Sequence, residues 1–249
     1  MTQPVFDVVF RAQQVLHHGR IAPLEVGIRH EKIAALEPLG TNVTAKQIID
    51  VPAHQVVLPG LVDTHVHVNE PGRTEWEGFD SATRAAAAGG VTTLIDMPLN
   101  SIPSTVNVDA LDLKQAAAKD QLHIDTGFWG GAIPGNTEDL IPLQEAGVFG
   151  FKCFLEHSGV DEFPKLEPEE MQQDMAVIVT FDGLMIVHAE DAHTLEQARA
   201  EGLQPSPKYN DFLASRPGEA ESVAIQSVID AMRATGARAH ILHLSNADC

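Results

Sequence analysis

The chain has 249 residues, 44% hydrophobic and 20% charged, enough apolar material for a buried core and in keeping with a globular protein. Asp and Glu number 35 against 16 Lys and Arg, a formal net charge of −19; this argues against nucleic acid and anionic membrane as partners, and no apolar run is long enough to span a bilayer. The two cysteines, Cys153 and Cys249, exclude a disulfide scaffold. The first residues lack the basic start and apolar stretch of a secretory signal, so a reducing, cytoplasmic location is expected.

Residues 1–55 read as short strands and turns: Phe6–Phe10, Glu25–Arg29, Lys32–Glu37 and Gln47–Val51, punctuated by Gly19, Gly27, Gly40 and Asn42. They predict part of a small β-sandwich module, too short to bury much alone. From residue 56 to 249 the pattern changes. Apolar strand runs at Val56–Val68, Val91–Met97, His123–Gly131, Val148–Leu155, Leu184–Ala189 and Ala237–Ser245 alternate with helical stretches. The expected helices are Glu75–Ala88 with a Gly89-Gly90 stop, Asp109–Ala118, one capped by Asn136 and running to Ala146, Glu169–Phe181 with Pro168 at its first position, and Glu221–Thr235 closed by Gly236. Near-continuous apolar strands separated by helices predict an α/β fold with a parallel sheet covered on both faces. Six β/α units are counted, and the sequence ends at Cys249 where a βα loop is due. The expectation is the front portion of a larger protein; a complete open α/β sheet is the alternative.

In parallel α/β folds the chemistry sits at the C-terminal strand ends. His65 and His67 lie two apart on a strand, so both imidazoles face one way, a spacing that suits a metal ion or, more plainly, a solvated strand face. The fifth strand run ends at His188 and the sixth near His243, each of which is a core histidine if it stands alone. Lys152 interrupts the apolar run Phe151–Leu155. Burial lowers a lysine pKa and leaves a nucleophilic amine that can add carbon dioxide; the resulting carbamate has two oxygens and can bridge two cations. The alternative is a lysine snorkelling to water. His240 is assigned to packing, Cys153 to the core, and Glu190 and Asp191 to a solvated helix start, with a supporting role beside His188 as the other option.

Taken together, His65-Val-His67, Lys152, His188 and His243 resemble the binuclear metal centre of the amidohydrolase superfamily, in the cyclic-amidohydrolase branch of dihydroorotases, hydantoinases and allantoinases. The stretches His67-Val-Asn-Glu-Pro-Gly-Arg73, Asp96-Met-Pro-Leu-Asn100, Gly150-Phe-Lys-Cys-Phe154 and Asn210–Pro217 are most similar to the allantoinases. Asn69 stands where dihydroorotases usually carry an arginine for a substrate carboxylate, and allantoin has no carboxylate. The resemblance implies a partial (β/α)8 TIM-type barrel. It implies two divalent ions, zinc by default, with His65 and His67 on one, His188 and His243 on the other, and carboxylated Lys152 between them. It further implies hydrolysis of allantoin to allantoate in purine catabolism, and a homotetramer for the full-length protein. The family's proton-shuttling aspartate follows an eighth strand, so no catalytic acid or base is identifiable up to Cys249. The chain by itself is therefore expected to be inactive and poorly stable. A hydantoinase-type hydrolase and a non-catalytic scaffold are the rival readings; Asn100 and Arg73 are candidate substrate contacts.

Overall fold

A computed structural model describes residues 6–249. The chain divides into two compact units, residues 1–60 and 61–249.

In the first unit, β1 (Phe6–His17), β2 (Arg20–Arg29), β3 (Lys32–Pro38) and β4 (Ala45–Asp50) form one sheet in the order β3-β2-β1-β4. The β1–β2 and β2–β3 pairs are antiparallel and β1–β4 is parallel. β1 runs seven residues beyond the expected Phe10, across polar Gln13 and Gln14, because its register with β2 shifts between Ala12 and Val15. Such an irregularity hides a continuous strand from a simple alternation pattern. Ala12, Val15 and Val26 form a small apolar cluster. Buried Glu25 accepts N–H bonds from Gly40, Asn42 and Val43. Burial pushes its carboxyl pKa up, but these three donors outweigh that and hold it below the ordinary value.

In the second unit, β5 (Leu61–Val66), β6 (Val91–Asp96) and β7 (Asp125–Phe128) form one parallel sheet. A second parallel sheet joins β8 (Gly130–Gly131), β9 (Phe151–Phe154), β10 (Leu184–His188) and β11 (Arg238–Ile241). The helices are α1 (Phe79–Ala88), α2 (Val108–Ala118), α3 (Leu140–Glu145), α4 (Pro168–Ile178), α5 (Ala192–Ala200), α6 (Tyr209–Ala214) and α7 (Gly218–Thr235). Their ends follow local chemistry. Asn107 accepts from Ala110 N–H at the start of α2. Glu167 and Glu170 form a reciprocal capping box around Pro168. Asp191 caps α5, and Gly236 ends α7 in the left-handed region at φ +78.

Several elements differ from expectation. The strand expected over Val56–Val68 starts at Leu61; Val57 instead bridges to Val15 of β1, and Pro59-Gly60 separates the two pairings. The run His123–Gly131 is two strands, since the N–H of Trp129 bonds to Asp96 O while that of Gly130 bonds to Gly150 O. The chain thereby passes from one sheet to the other at a single residue. α1 starts four residues later than expected; of α5 only the start at Glu190-Asp191 was read, and α6 has no counterpart in the sequence reading, because their apolar positions are sparse.

Alternation along β9 and β10 divides the core. Phe151, Cys153, Met185 and Val187 pack against Met171, Met175, Ile178, Ala224, Val228 and Ala231 of α4 and α7. Phe154 and Ile186 face the other way, with Trp129, Ile95, Met97 and Leu242. β5 and β11 each pair with one neighbour among the described residues, and Leu61 and Val62 are exposed. No helix of the described residues is long and apolar enough to cross a membrane.

Candidate metal centre

The register of the parallel strands assembles the site. Lys152 and Phe154 are two apart on β9 and share a face, and they pair with Ile186 and His188 of β10. The His188 ring therefore stacks on Phe154, with centroids 4.9 Å apart, while Lys152 Nζ lies 4.2 Å from the Phe154 centroid. Gly150 makes this strand entry possible. Its φ is +151, and a Cβ there would sit 2.5 Å from Leu184 O.

The histidines complete a chain of close rings. Centroid separations are 5.4 Å for His65–His67, 5.5 Å for His65–His243 and 4.6 Å for His188–His243. All five residues singled out in the sequence thus come together at the strand ends. His243 arrives by a different route from the one the alternation implied. It lies two residues beyond β11, with φ +33, so its direction is set by a turned backbone and not by strand parity. His240, assigned to packing, is exposed on the edge strand β11, because no further strand covers it among the described residues.

Lys152 is only 1% exposed, and its Nζ has no hydrogen-bond partner. Burial lowers its pKa to about 7, so a large share of the amine is neutral near neutral pH. His65 is lowered to about 4, first by burial and then by the charges of Lys152, His67 and His243. It therefore offers a lone pair, not a proton, under ordinary conditions. His188 Nδ1 and His243 Nε2 face each other at 3.2 Å. Two nitrogens each about 2.0–2.1 Å from one tetrahedral ion lie roughly 3.3 Å apart, so this pair has the right separation for one cation. No three His, Cys, Asp or Glu side chains among the described residues are grouped to hold an ion by themselves. The histidines come as pairs, with the orphaned Lys152 amine as the further group available to a second-ligand chemistry. The donor set fits divalent cations on condition that Lys152 becomes anionic.

Side chains around these residues hold them in place. Asp96 is fully buried: its Oδ1 accepts Val68 N–H at 2.7 Å, and its Oδ2 takes Lys114 Nζ at 2.7 Å. Lys114 also donates to Met97 O at 2.9 Å. The backbone next to His67 is thus fastened to the end of β6. Asn100 (φ +73) places its Oδ1 3.0 Å from His67 Nδ1. Arg73 donates to Asn100 O at 3.3 Å and pairs with Glu162, so both candidate substrate contacts are engaged with neighbours. Glu190 is not a freely solvated helix start. Its Oε2 lies 2.6 Å from His188 Nε2, and Arg216 donates Nε to its Oε1 at 2.8 Å. Its pKa is pushed up by burial, but His188 and Arg216 outweigh that and hold it at about 2. The sequence clue was Glu190 standing two residues beyond His188; Arg216 lay within the stretch Asn210–Pro217 noted for its resemblance, but nothing there linked it to Glu190. A cavity of about 380 Å³ opens beside this group, lined by His188, His243, Glu190, Arg216, Leu213 and Asn246 among others. Glu221 accepts the N–H groups of Ser245 and Asn246 and so secures the turn after His243.

Residues 56–248 match the model of the amidohydrolase family. The chain is 52% identical over 242 residues to an allantoinase of Streptomyces avermitilis, covering 97% of this chain and 54% of that protein. It is 48% identical over 196 residues to the allantoinase of Saccharomyces cerevisiae, covering 76% of this chain and 42% of that protein. Among solved structures, an L-hydantoinase (dihydropyrimidinase) from Arthrobacter aurescens superposes with a TM-score of 0.89 at 29% identity, covering 98% of this chain and 54% of that one. The chain spans about half the length of the curated relatives it matches. With a family match over most of its residues and parallel strands carrying histidines at or just beyond their C-terminal ends, this chain belongs to the amidohydrolase family.

Proposed function

We propose that the protein to which this chain belongs hydrolyses the ring amide of allantoin to give allantoate. Its site would hold two divalent cations, zinc by the character of the donors. His65 and His67 serve one, His188 and His243 the other, and a carbamate on Lys152 joins them. The observation that carries this reading is the Lys152 amine: buried, without a hydrogen-bond partner, with a pKa near 7, and close enough to His65, His67 and His243 for its charge to act on all three. A buried cation with no partner is costly. Addition of carbon dioxide to the neutral amine, with loss of one N–H proton, converts it to an anion that two cations, held by the neighbouring imidazoles, would stabilise.

Bound divalent ions supply Lewis acidity toward a carbonyl and lower the pKa of water. The chain's own residues do the rest of what can be assigned. Phe154 supports His188 and Lys152 from below and keeps water from that side. Asp96 and Lys114 hold the backbone beyond His67, and Asn100 fixes the His67 ring. The uncharged Asn69 suits a substrate without a carboxylate. We assign no general acid or base to this chain. In the same reading the two parallel sheets belong to a (β/α)8 barrel, the first unit to a β-sandwich module and the whole protein to a homotetramer. Hydrolysis of hydantoins is the second reading, favoured by the structural similarity to the Arthrobacter aurescens enzyme.

The test is metal content and native intact mass of the purified chain and of its Lys152→Ala variant. Two metal equivalents, together with a mass increase of one carbon dioxide that the variant lacks, are expected. A metal-loaded chain with unmodified Lys152 overturns the bridging role. Turnover of hydantoin but not allantoin by the whole protein overturns the substrate.

A further inference from the structure

We propose that Glu190 and Arg216 are positioning residues for His188: the carboxylate, itself gripped by the guanidinium, holds the imidazole proton on Nε2 and leaves Nδ1 as the open lone pair. The effect on metal affinity rests on the metal-centre reading above; the tautomer does not. Four observations carry the assignment. Glu190 Oε2 sits 2.6 Å from His188 Nε2, close enough for one shared hydrogen and no intervening water. Arg216 engages both carboxylate oxygens, Nε to Oε1 at 2.8 Å and Nη2 to Oε2, the two-pronged geometry that fixes a carboxylate in its plane. The opposite ring nitrogen, Nδ1, points at His243 Nε2 at 3.2 Å. Phe154 stacks on the His188 ring at an interplanar angle of 23°, so the ring is restrained in tilt as well as in rotation about its bond.

The chemistry gives the arrangement its direction. A neutral imidazole has one donor and one acceptor nitrogen, and a carboxylate can only accept. A histidine that binds a metal through one nitrogen is held and made more basic by a carboxylate on the other. Arg216 lies between α6 and α7, far from His188 in sequence, so the contact also ties the 201–217 segment to the end of β10. The Arg216 side chain is 37% exposed and that of Glu190 only 14%, so Arg216→Ala is the milder deletion and Glu190→Gln the one that keeps an acceptor in place.

The experiment uses the 249-residue chain, with zinc as the probe. Long-range nitrogen–proton NMR of the chelator-treated protein at about pH 8.5, two units above the ordinary imidazole value, reads the tautomer of His188, identified by the signals lost in His188→Asn. Wild type is expected to show Nε2–H, and Glu190→Ala a mixture of tautomers. Competition titration with a zinc chelator is expected to show a loss of about 10- to 100-fold in affinity for one zinc in Glu190→Ala, with a smaller loss in Arg216→Ala. Glu190→Gln, which keeps an acceptor, recovers part of it. An Nδ1–H tautomer in wild type, or an unchanged tautomer in Glu190→Ala, overturns the proposal, as does equal zinc affinity in both. If wild type takes no zinc, the metal-centre reading fails and the tautomer alone decides this one. If Glu190→Ala does not fold, Arg216→Ala and Glu190→Gln decide it by the same two readouts.

Discussion

Two buried lysines lie in the second unit, and they are treated in opposite ways. Lys114, on α2, is 0% exposed and gives its ammonium to Asp96 Oδ2 and Met97 O. Lys152, on β9, is 1% exposed, and its nitrogen meets only the face of Phe154, with no hydrogen-bond partner. The first is a compensated charge that fastens the end of β6 to the backbone beside His67. The second is uncompensated, and its cost is the reason it is informative. A fold that can satisfy one buried lysine with a carboxylate and a carbonyl has the means to satisfy another. Leaving Lys152 without a hydrogen bond, near His65, His67 and His243, fits a group that is completed by chemistry outside the polypeptide.

The contrast predicts opposite signs for the two deletions. Lys114→Ala strands Asp96 as a buried, unpaired carboxylate and opens a cavity. A loss of about 3–5 kcal/mol is expected in denaturant titration, with Asp96→Ala similarly damaging. Lys152→Met removes a burden. In carbon-dioxide-free buffer with chelator the variant is expected to be more stable than wild type by about 2–4 kcal/mol at pH 7, given a pKa depressed from 10.5 to about 7. The sign follows from linkage. Between about 7 and 10.5 the unfolded chain binds more protons than the folded one, so wild-type stability rises with pH and the advantage of the variant disappears above that window. A variant less stable than wild type at pH 7 would show that the amine is compensated after all.

A third buried charge tests the same logic with a carboxyl. Asp174, on α4, accepts from Thr137 Oγ1 at 2.6 Å through one oxygen and leaves the other without a partner. Burial raises its pKa from 3.8 to about 6. The folded chain therefore holds this proton more tightly than the unfolded one: the associated stability is present below about 3.8 and lost as pH rises through 6. Asp174→Asn is expected to stabilise by about 2 kcal/mol at pH 7.5 and by nothing near pH 3.5, read from denaturation midpoints at the two pH values. The smallest expected effect is at a helix end. Asn107→Ala removes the side-chain acceptor for Ala110 N–H and should cost about 1 kcal/mol, with hydrogen exchange faster only in the first turn of α2.

Much of the candidate site was legible before the fold. His65 and His67 carry the two-residue spacing of a strand face, Lys152 breaks an apolar run, and His188 follows one; all are local patterns. His243 was found for a reason that proved incomplete. Its strand ends at Ile241, and the residue reaches the ring cluster through a positive φ that no alternation pattern encodes. The parts that stayed hidden depend on partners distant in sequence. Glu190 read as a helix start, with a supporting role beside His188 as the other option, and only the fold brings Arg216, 26 residues on, over it. Asp96 and Lys114 read as a strand end and one position of an Ala-rich helix, and only packing shows them joined. Asn100 and Arg73 read only as candidate substrate contacts, and the fold adds that they meet His67 and Glu162.

The sequence by itself determined the alternation of strands and helices, several helix ends and the family, because these follow from short-range periodicity, capping chemistry and motif spacing. The tertiary structure alone decided which charges are paired and which are bare. Burial and pairing are sums over neighbours brought together by folding. A lysine in an apolar run is therefore ambiguous as a string of letters, and only the fold shows whether it has found a partner.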